Sequence, residues 1–205
     1  MLLSSLNVQI PILLFRMFIA EPFVVNSPAM YPTFSVGDYG FINKINYIKQ
    51  PKRGDVVSFI GKGVPVLYIK RVIGFPGEKI EFIKGVIYIN DNPLLLERVE
   101  DYTEKTILLT RKRPQYIETL PNGHKHKILR DDPEGNLPSD NMGPYYVPEG
   151  HYFMVGDNRN HSGDSRYDSP VGYVPFENFL GPAQFIIRLT DQLPYARLTF
   201  LKLTS

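Results

Sequence analysis

Apolar residues fall along this chain in two patterns, one nearly continuous and one alternating. The continuous one comes first: Leu2 to Ala20 is rich in Leu, Ile, Phe and Met, with Arg16 as its one formal charge. Asn7, Gln9 and Pro11 interrupt it, and Ile10 to Phe15 is far short of the roughly 20 apolar residues a spanning helix needs. The pattern predicts a membrane-associated segment over residues 1–21, the remnant or outer part of a span, with a buried helix of the domain as the alternative. No Lys or Arg precedes the apolar residues, so the stretch is neither a cleavable signal peptide nor a segment whose orientation the positive-inside rule can set.

After Glu21-Pro22 the pattern changes to short β-branched and aromatic runs separated by turns. Phe23-Val24-Val25 leads into Asn26-Ser27-Pro28, and Gly37-Asp38 is a turn entering a strand at Gly40-Phe41-Ile42. Four further strands are predicted at Val56–Ile60, Val66–Ile73, Lys79–Ile83 and Val86–Asn90, with a tight hairpin at Lys84-Gly85 between the last two. Between Asn92 and Tyr146 apolar density falls and charge rises, which predicts an inserted, partly β subdomain with a turn at Pro121-Asn122-Gly123 and an irregular loop over Glu134–Tyr145. His151–Val155 restores the character of a core strand.

Composition narrows this picture without naming a function. A chain of 205 residues can bury a core and carry an insertion. Thirteen Tyr, thirteen Phe, eighteen Pro and sixteen Gly favour strands and turns over helical bundles, so the fold class is mainly β. A net charge of +2 with no basic stripe interleaved with aromatics argues against a nucleic-acid partner. The absence of Cys removes disulfides, thiolate catalysis and thiolate metal sites together. His124 and His126 alternate with Lys125 and Lys127 and have no carboxylates at ligand spacing, which makes them solvated loop residues rather than metal ligands.

Three clusters carry possible chemistry. Ser27-Pro28-Ala29-Met30-Tyr31-Pro32-Thr33-Phe34 follows the leader and, alone, is an ordinary turn. In Tyr68-Ile69-Lys70-Arg71-Val72-Ile73-Gly74-Phe75-Pro76-Gly77, strand alternation sends Lys70 and Arg71 to opposite faces. A lysine on the covered face loses solvation of its ammonium form, and a lowering of about 3 pKa units, worth roughly 4 kcal/mol, would leave a neutral amine able to act as a base. The ordinary alternative is a stem packed on the sheet with its head in water. The third cluster, Gly156 to Tyr167, is a polar loop in which Asp–Arg pairing could aim a small hydroxyl inward; a turn with exposed ion pairs is its alternative.

Taken together and in this order, the clusters resemble the type I signal peptidases, also called leader peptidases. The signature of that family is Ser-x-Ser-Met-x-Pro-Thr after a membrane segment, then Lys-Arg-Val-x-Gly-x-Pro-Gly, then Gly-Asp-Asn-x-x-x-Ser-x-Asp-Ser-Arg. All three are present over Phe15 to Ala183, except that alanine stands at the second serine of the first, and Arg113 to Gly123 looks like the insertion of Gram-negative members.

The resemblance implies an antiparallel β-sheet core over 22–91 and 147–190, an inserted β-rich subdomain over 92–146, the apolar membrane-associated segment over 1–21 and a tail over 191–205. It puts Ala29 at the position of the nucleophilic serine, makes Lys70 the general base and gives Ser27 to the oxyanion hole. Ser162 orients the lysine, Asp157, Asp164 and Arg166 form a supporting charge network, and Met30, Pro32 and Thr33 shape the substrate wall. It implies a membrane-bound serine endopeptidase of the inner membrane with its catalytic domain on the outer side. The partners are then signal peptides of exported preproteins and membrane lipid, and no metal or organic cofactor is required.

Alanine has no nucleophilic atom, so the chain as written is expected not to cleave peptides. Because Ser27, Lys70 and Ser162 are all retained, it reads as a substituted form of an active enzyme, with a non-catalytic membrane-associated peptide-binding pseudoprotease as the alternative. A self-cleaving serine/lysine repressor shares the dyad, but it would need a DNA-binding domain or a cleavage loop where this chain has only its leader.

Overall fold

The computed structural model describes residues 19–45, 50–63, 65–105, 110–190 and 197–201. Most of the predicted leader, residues 1–18, and most of the predicted tail lie outside them. The described residues form fifteen strands joined by tight turns and short 3₁₀ segments, and none of their helices is long and apolar enough to cross a membrane. In chain order the strands are β1 (Ala20–Val24), β2 (Tyr39–Asn43), β3 (Val56–Ile60), β4 (Leu67–Gly74), β5 (Lys79–Ile83), β6 (Val86–Ile89) and β7 (Asn92–Pro93). Then follow β8 (Leu95–Lys105), β9 (Thr110–Thr119), β10 (Lys125–Leu129), β11 (Met142–Tyr146), β12 (His151–Val155), β13 (Val174–Pro175), β14 (Phe179–Thr190) and β15 (Arg197–Leu201). The fold is mainly β, as the pattern of short β-branched runs predicts.

These strands make three sheets. The largest runs β1-β2-β14-β3-β4-β12-β13, with β15 beside β14; a second runs β11-β5-β6-β7; a third is the meander β10-β9-β8. Strands β3 and β4 pair antiparallel from Val56↔Arg71 to Ile60↔Leu67. Strand β12 covers the other edge of β4 only from Arg71 to Gly74, so the edge at Leu67–Lys70 has no partner among the described strands.

Local sequence explains the turns. Lys84 and Gly85, at φ 49° and 72°, close the β5–β6 hairpin in the left-handed conformation that a two-residue turn requires. Pro121-Asn122-Gly123 reverses the chain between β9 and β10, where the Gly123 N–H donates to Leu120 O at 2.8 Å. One stretch departs from expectation: Met142–Tyr146, expected within an irregular loop, is a strand paired to β5 through a register shift. Its Gly and Pro hide the alternation that marks the other strands, and only the partner edge of β5 gives it a ladder.

Three apolar clusters hold the sheets. Ile73, Ile80, Phe82, Ile87, Leu120, Phe153 and Val155 join the two larger sheets. Val57, Phe59, Val72, Tyr152, Met154 and Phe179 fill the second cluster. Phe23, Val25, Met30, Phe34, Ile42, Val56 and Ala183 form the third, beneath the turn that bears Ala29. Phe23 and Phe34 are therefore core residues, the outcome that the usual burial of large apolar side chains favours.

Candidate active site

Strand β1 delivers the chain into a single 3₁₀ turn, Pro28–Met30. Proline at the first position of the turn has no N–H to satisfy, and the exposed Ser27 caps it by accepting the Ala29 N–H at 3.3 Å. The Tyr31 N–H donates to Pro28 O and the Phe34 N–H to Met30 O, both at 3.0 Å. Ala29 and Met30 are turned inward, and Met30 packs on the Phe23–Phe34 cluster.

Across from this turn, β4 carries Lys70 and Arg71, both buried although they point to opposite faces. They solve burial differently. Arg71 is neutralised: its Nε donates to Asp157 Oδ1 at 2.8 Å, one terminal nitrogen to Asp157 Oδ2 at 2.6 Å, and the other to Gly54 O at 2.6 Å. Thr33 Oγ1 donates to the same Asp157 oxygen, which ties the first cluster to the third. Lys70, at 5% exposure, has its pKa lowered. Loss of water around the ammonium is the largest cause, Asp164 and Asp157 oppose it, and Arg166 adds to it.

The loop after β12 supplies the rest. Asp164 accepts the Gly156 N–H at 3.0 Å and takes Arg166 in a two-pronged pair, Nε and a terminal nitrogen each at 2.8 Å. Burial alone would raise the pKa values of Asp157 and Asp164; Arg71 and Arg166 respectively reverse that and hold both low. Arg166 also donates to Arg159 O at 2.6 Å, so the loop is braced from within. Ser162 is buried and its Oγ has no hydrogen-bond partner among the described residues. It sits close to Ala29: a Cβ placed on Gly156 would lie 2.1 Å from Ser162 Oγ and 2.7 Å from Ala29 O, so glycine is what allows these groups to converge.

A cleft of about 440 Å³ opens between the 27–30 turn and the free edge of β4. Ser27, Ala29, Met30 and Lys70 line it together. Ser162, Asp157, Asp164 and Arg166 are buried residues outside that lining, and the half-exposed Pro32 and Thr33 also lie outside it. His161 and Gly163 line the cleft too, and no role was expected of either. Nor was one expected of Asn158, whose side chain donates to Pro28 O at 2.9 Å and whose N–H donates to Ala29 O at 3.1 Å. Asn158 stands in the third motif, so a signal was there, but its side chain's partner carbonyl lies 130 residues away in sequence.

One of the two histidines differs from expectation. His124 lies in the turn before β10, half-exposed and 3.4 Å from Arg71, but His126 is not a solvated loop residue: it is buried on β10 between Glu118, 3.3 Å away, and Asp157, 3.9 Å away. Alternation on β10 turns His126 inward and its lysine neighbours outward. Burial first, then Arg71, lowers the pKa of both rings. No group of three or more His, Cys, Asp or Glu placed to hold a metal occurs among the described residues.

The family model for signal peptidase, peptidase S26, matches residues 1–188. Signal peptidase I of Rickettsia typhi is 39% identical over 200 residues, spanning 85% of this chain and 74% of the relative. That of Rickettsia prowazekii is 40% identical with the same coverage. Among solved structures, a signal peptidase I from Enterococcus faecalis is 26% identical with a TM-score of 0.38, covering 66% of this chain and 97% of that one.

Proposed function

The chain belongs to the signal peptidase family, peptidase S26, and from that premise we propose that it is built as a membrane-bound Ser/Lys endopeptidase for the signal peptides of exported preproteins, made inactive by Ala29 at the nucleophile's position. The observation that carries this reading is the burial of Lys70 in the cleft it shares with Ala29 and Ser27. A lysine held there in its neutral form is a base in search of a hydroxyl, and position 29 is where one is missing.

In an Ala29→Ser chain the neutral Lys70 amine takes the serine proton and the oxygen bonds to the scissile carbonyl carbon. The Ser27 hydroxyl and the N–H of residue 29 hold the oxyanion. Collapse of the tetrahedral adduct breaks the C–N bond, and the Lys70 proton leaves with the amine. Water, deprotonated by Lys70, then releases the acyl group. Ser162 orients the amine from behind, and Asp157, Asp164 and Arg166 keep the loop in shape. Met30 lines the floor of the substrate site, with Pro32 and Thr33 supporting the turn.

An extended peptide fits the unpaired edge of β4 at Leu67–Lys70, where backbone hydrogen bonds supply affinity and shallow pockets select small side chains one and three residues before the cleaved bond. The apolar residues 1–21, together with exposed Ile19, Val24, Val66 and Leu67, support anchoring at a membrane, and the resemblance implies the inner membrane with the cleft on its outer side. One observation favours a second reading: an intact cleft around a residue that cannot react is what a non-catalytic peptide-binding pseudoprotease would keep.

A single comparison separates the two. Ala29→Ser is expected to cleave a preprotein on the order of 10⁶ times faster than the chain as written, and Lys70→Ala in that background is expected to abolish the gain. A folded Ala29→Ser protein that leaves the preprotein intact assigns the cleft to binding alone.

A further inference from the structure

We propose that Arg113, on β9 of the inserted meander, is a positioning residue for the catalytic turn, acting through Asn158. This rests on the reading of the 27–30 turn as the catalytic turn. It gives the insertion a part in the active site 84 residues away from Ala29 in sequence (113 minus 29).

Asn158 is fully buried and serves the turn twice, with its N–H on Ala29 O and its Nδ2 on Pro28 O. Pro28 O belongs to the peptide unit that carries the Ala29 N–H, and Ala29 O to the unit after it. An asparagine amide can face either way, and only one sense puts its donor on Pro28 O. Arg113 chooses that sense. A terminal nitrogen of its guanidinium donates to Asn158 Oδ1 at 2.8 Å, and because a guanidinium accepts nothing, the flipped amide would set donor against donor.

Arg113 is itself held. It is buried, and the same nitrogen and Nε donate to Asp131 Oδ1 at 2.6 and 3.1 Å. The other oxygen of Asp131 contacts Nε2 of His161 on the cleft wall. Two further bonds dock the meander on the loop: Leu129 N–H to Asp157 O at 2.9 Å and Asp131 N–H to Asn160 Oδ1 at 2.8 Å. One side chain of the insertion therefore holds the donor on Pro28 O in place and, through Asp131, contacts a residue lining the cleft.

The test is Arg113→Lys, made both in the chain as written and in Ala29→Ser. Lysine keeps the charge, but its side chain ends one atom short of the terminal nitrogen that serves both Asp131 and Asn158, and it lacks the second donor on Asp131. In the chain as written, hydrogen exchange at the Asn158 amide is expected to quicken about tenfold, the worth of one charge-assisted bond, while amides of β5 and β6 stay unchanged. In Ala29→Ser, kcat on a preprotein is expected to fall about tenfold with KM held within about twofold. Unchanged exchange at Asn158 together with unchanged kcat in a folded Arg113→Lys protein overturns the proposal, as does exchange that quickens equally throughout the molecule. Should Arg113→Lys fail to fold, Asn158→Asp decides in its place. It retains a partner for Arg113 and sets an acceptor against Pro28 O in place of the donor, and the same two outcomes are expected. If Ala29→Ser cleaves nothing, the functional reading fails, while the exchange measurement still decides the clamp.

Discussion

Replacing Asp157 by Asn tests how the site is held together. Asp157 is 1% exposed and accepts two bonds from Arg71 and one from Thr33. An asparagine of the same shape turns one of its acceptors into a donor that faces a donor, and it leaves the buried Arg71 charge beside His124 and His126 without its anion. Removing one member of a buried pair costs about 3–5 kcal/mol. At about 2–4 °C per kcal/mol for a chain of this size, Tm should fall by roughly 6–20 °C, with the urea m-value unchanged. The pH dependence has a definite sign. The Asp157 pKa lies below its ordinary 3.8 in the folded chain, so its contribution is complete above that value and is lost as pH falls through the lowered one. The gap between the two proteins should therefore be constant near neutrality and close only in acid. A loss under about 1 kcal/mol with the same m-value, or a gap that closes on raising the pH, would refute the argument that this pair locks the loop to the turn.

Lys70→Met should stabilise the chain at neutral pH. Because burial lowers the folded pKa of Lys70 from 10.5, the penalty for its ammonium is present in full below that lowered value and vanishes as pH rises towards 10.5. Thermal denaturation of both proteins against pH should thus show a gap that narrows on alkalinisation; a gap that widens contradicts a buried, strained amine. Gly156→Ala should cost about 1–3 kcal/mol in urea denaturation, since its methyl would overlap Ser162 Oγ and crowd Ala29 O, and in an Ala29→Ser background it should cut kcat by displacing Ser162. An alanine variant with unchanged stability would show that Ser162 is not packed against that glycine.

Strand positions were legible because each is a local signal. Val56–Ile60 and Lys79–Ile83 appear with the ends that their turns predict, since β-branched runs between Gly, Pro and Asp leave little choice. Asp–Arg pairing within the Gly156–Tyr167 loop was legible for the same reason, and the pair Asp164–Arg166, which the resemblance named, has its members two residues apart. Partnerships between distant segments carry no such mark. Nothing near Arg71 announces Asp157, 86 residues on, and nothing near Glu118 announces Arg159, which with His126 overcomes the upward push of burial and holds the Glu118 carboxyl at about 2. His126 was misread as solvated because its lysine neighbours suggest a polar loop; its burial follows from a partner surface that only the folded chain supplies.

The buried acids behind the cleft bear directly on how the pKa of Lys70 is lowered. An unpaired carboxylate near a buried lysine would favour the ammonium form, and Asp157 and Asp164 both pull in that direction. Each is matched by an arginine within hydrogen-bonding distance, Arg71 for one and Arg166 for the other, so from the position of Lys70 each pair is closer to a dipole than to a charge. Glu118 is matched in the same way by Arg159. With the acids thus balanced, loss of water is left as the dominant influence on the amine. The Arg71 and Arg166 pairings therefore act on the lysine without touching it, and they are as much a condition for its lowered pKa as its burial.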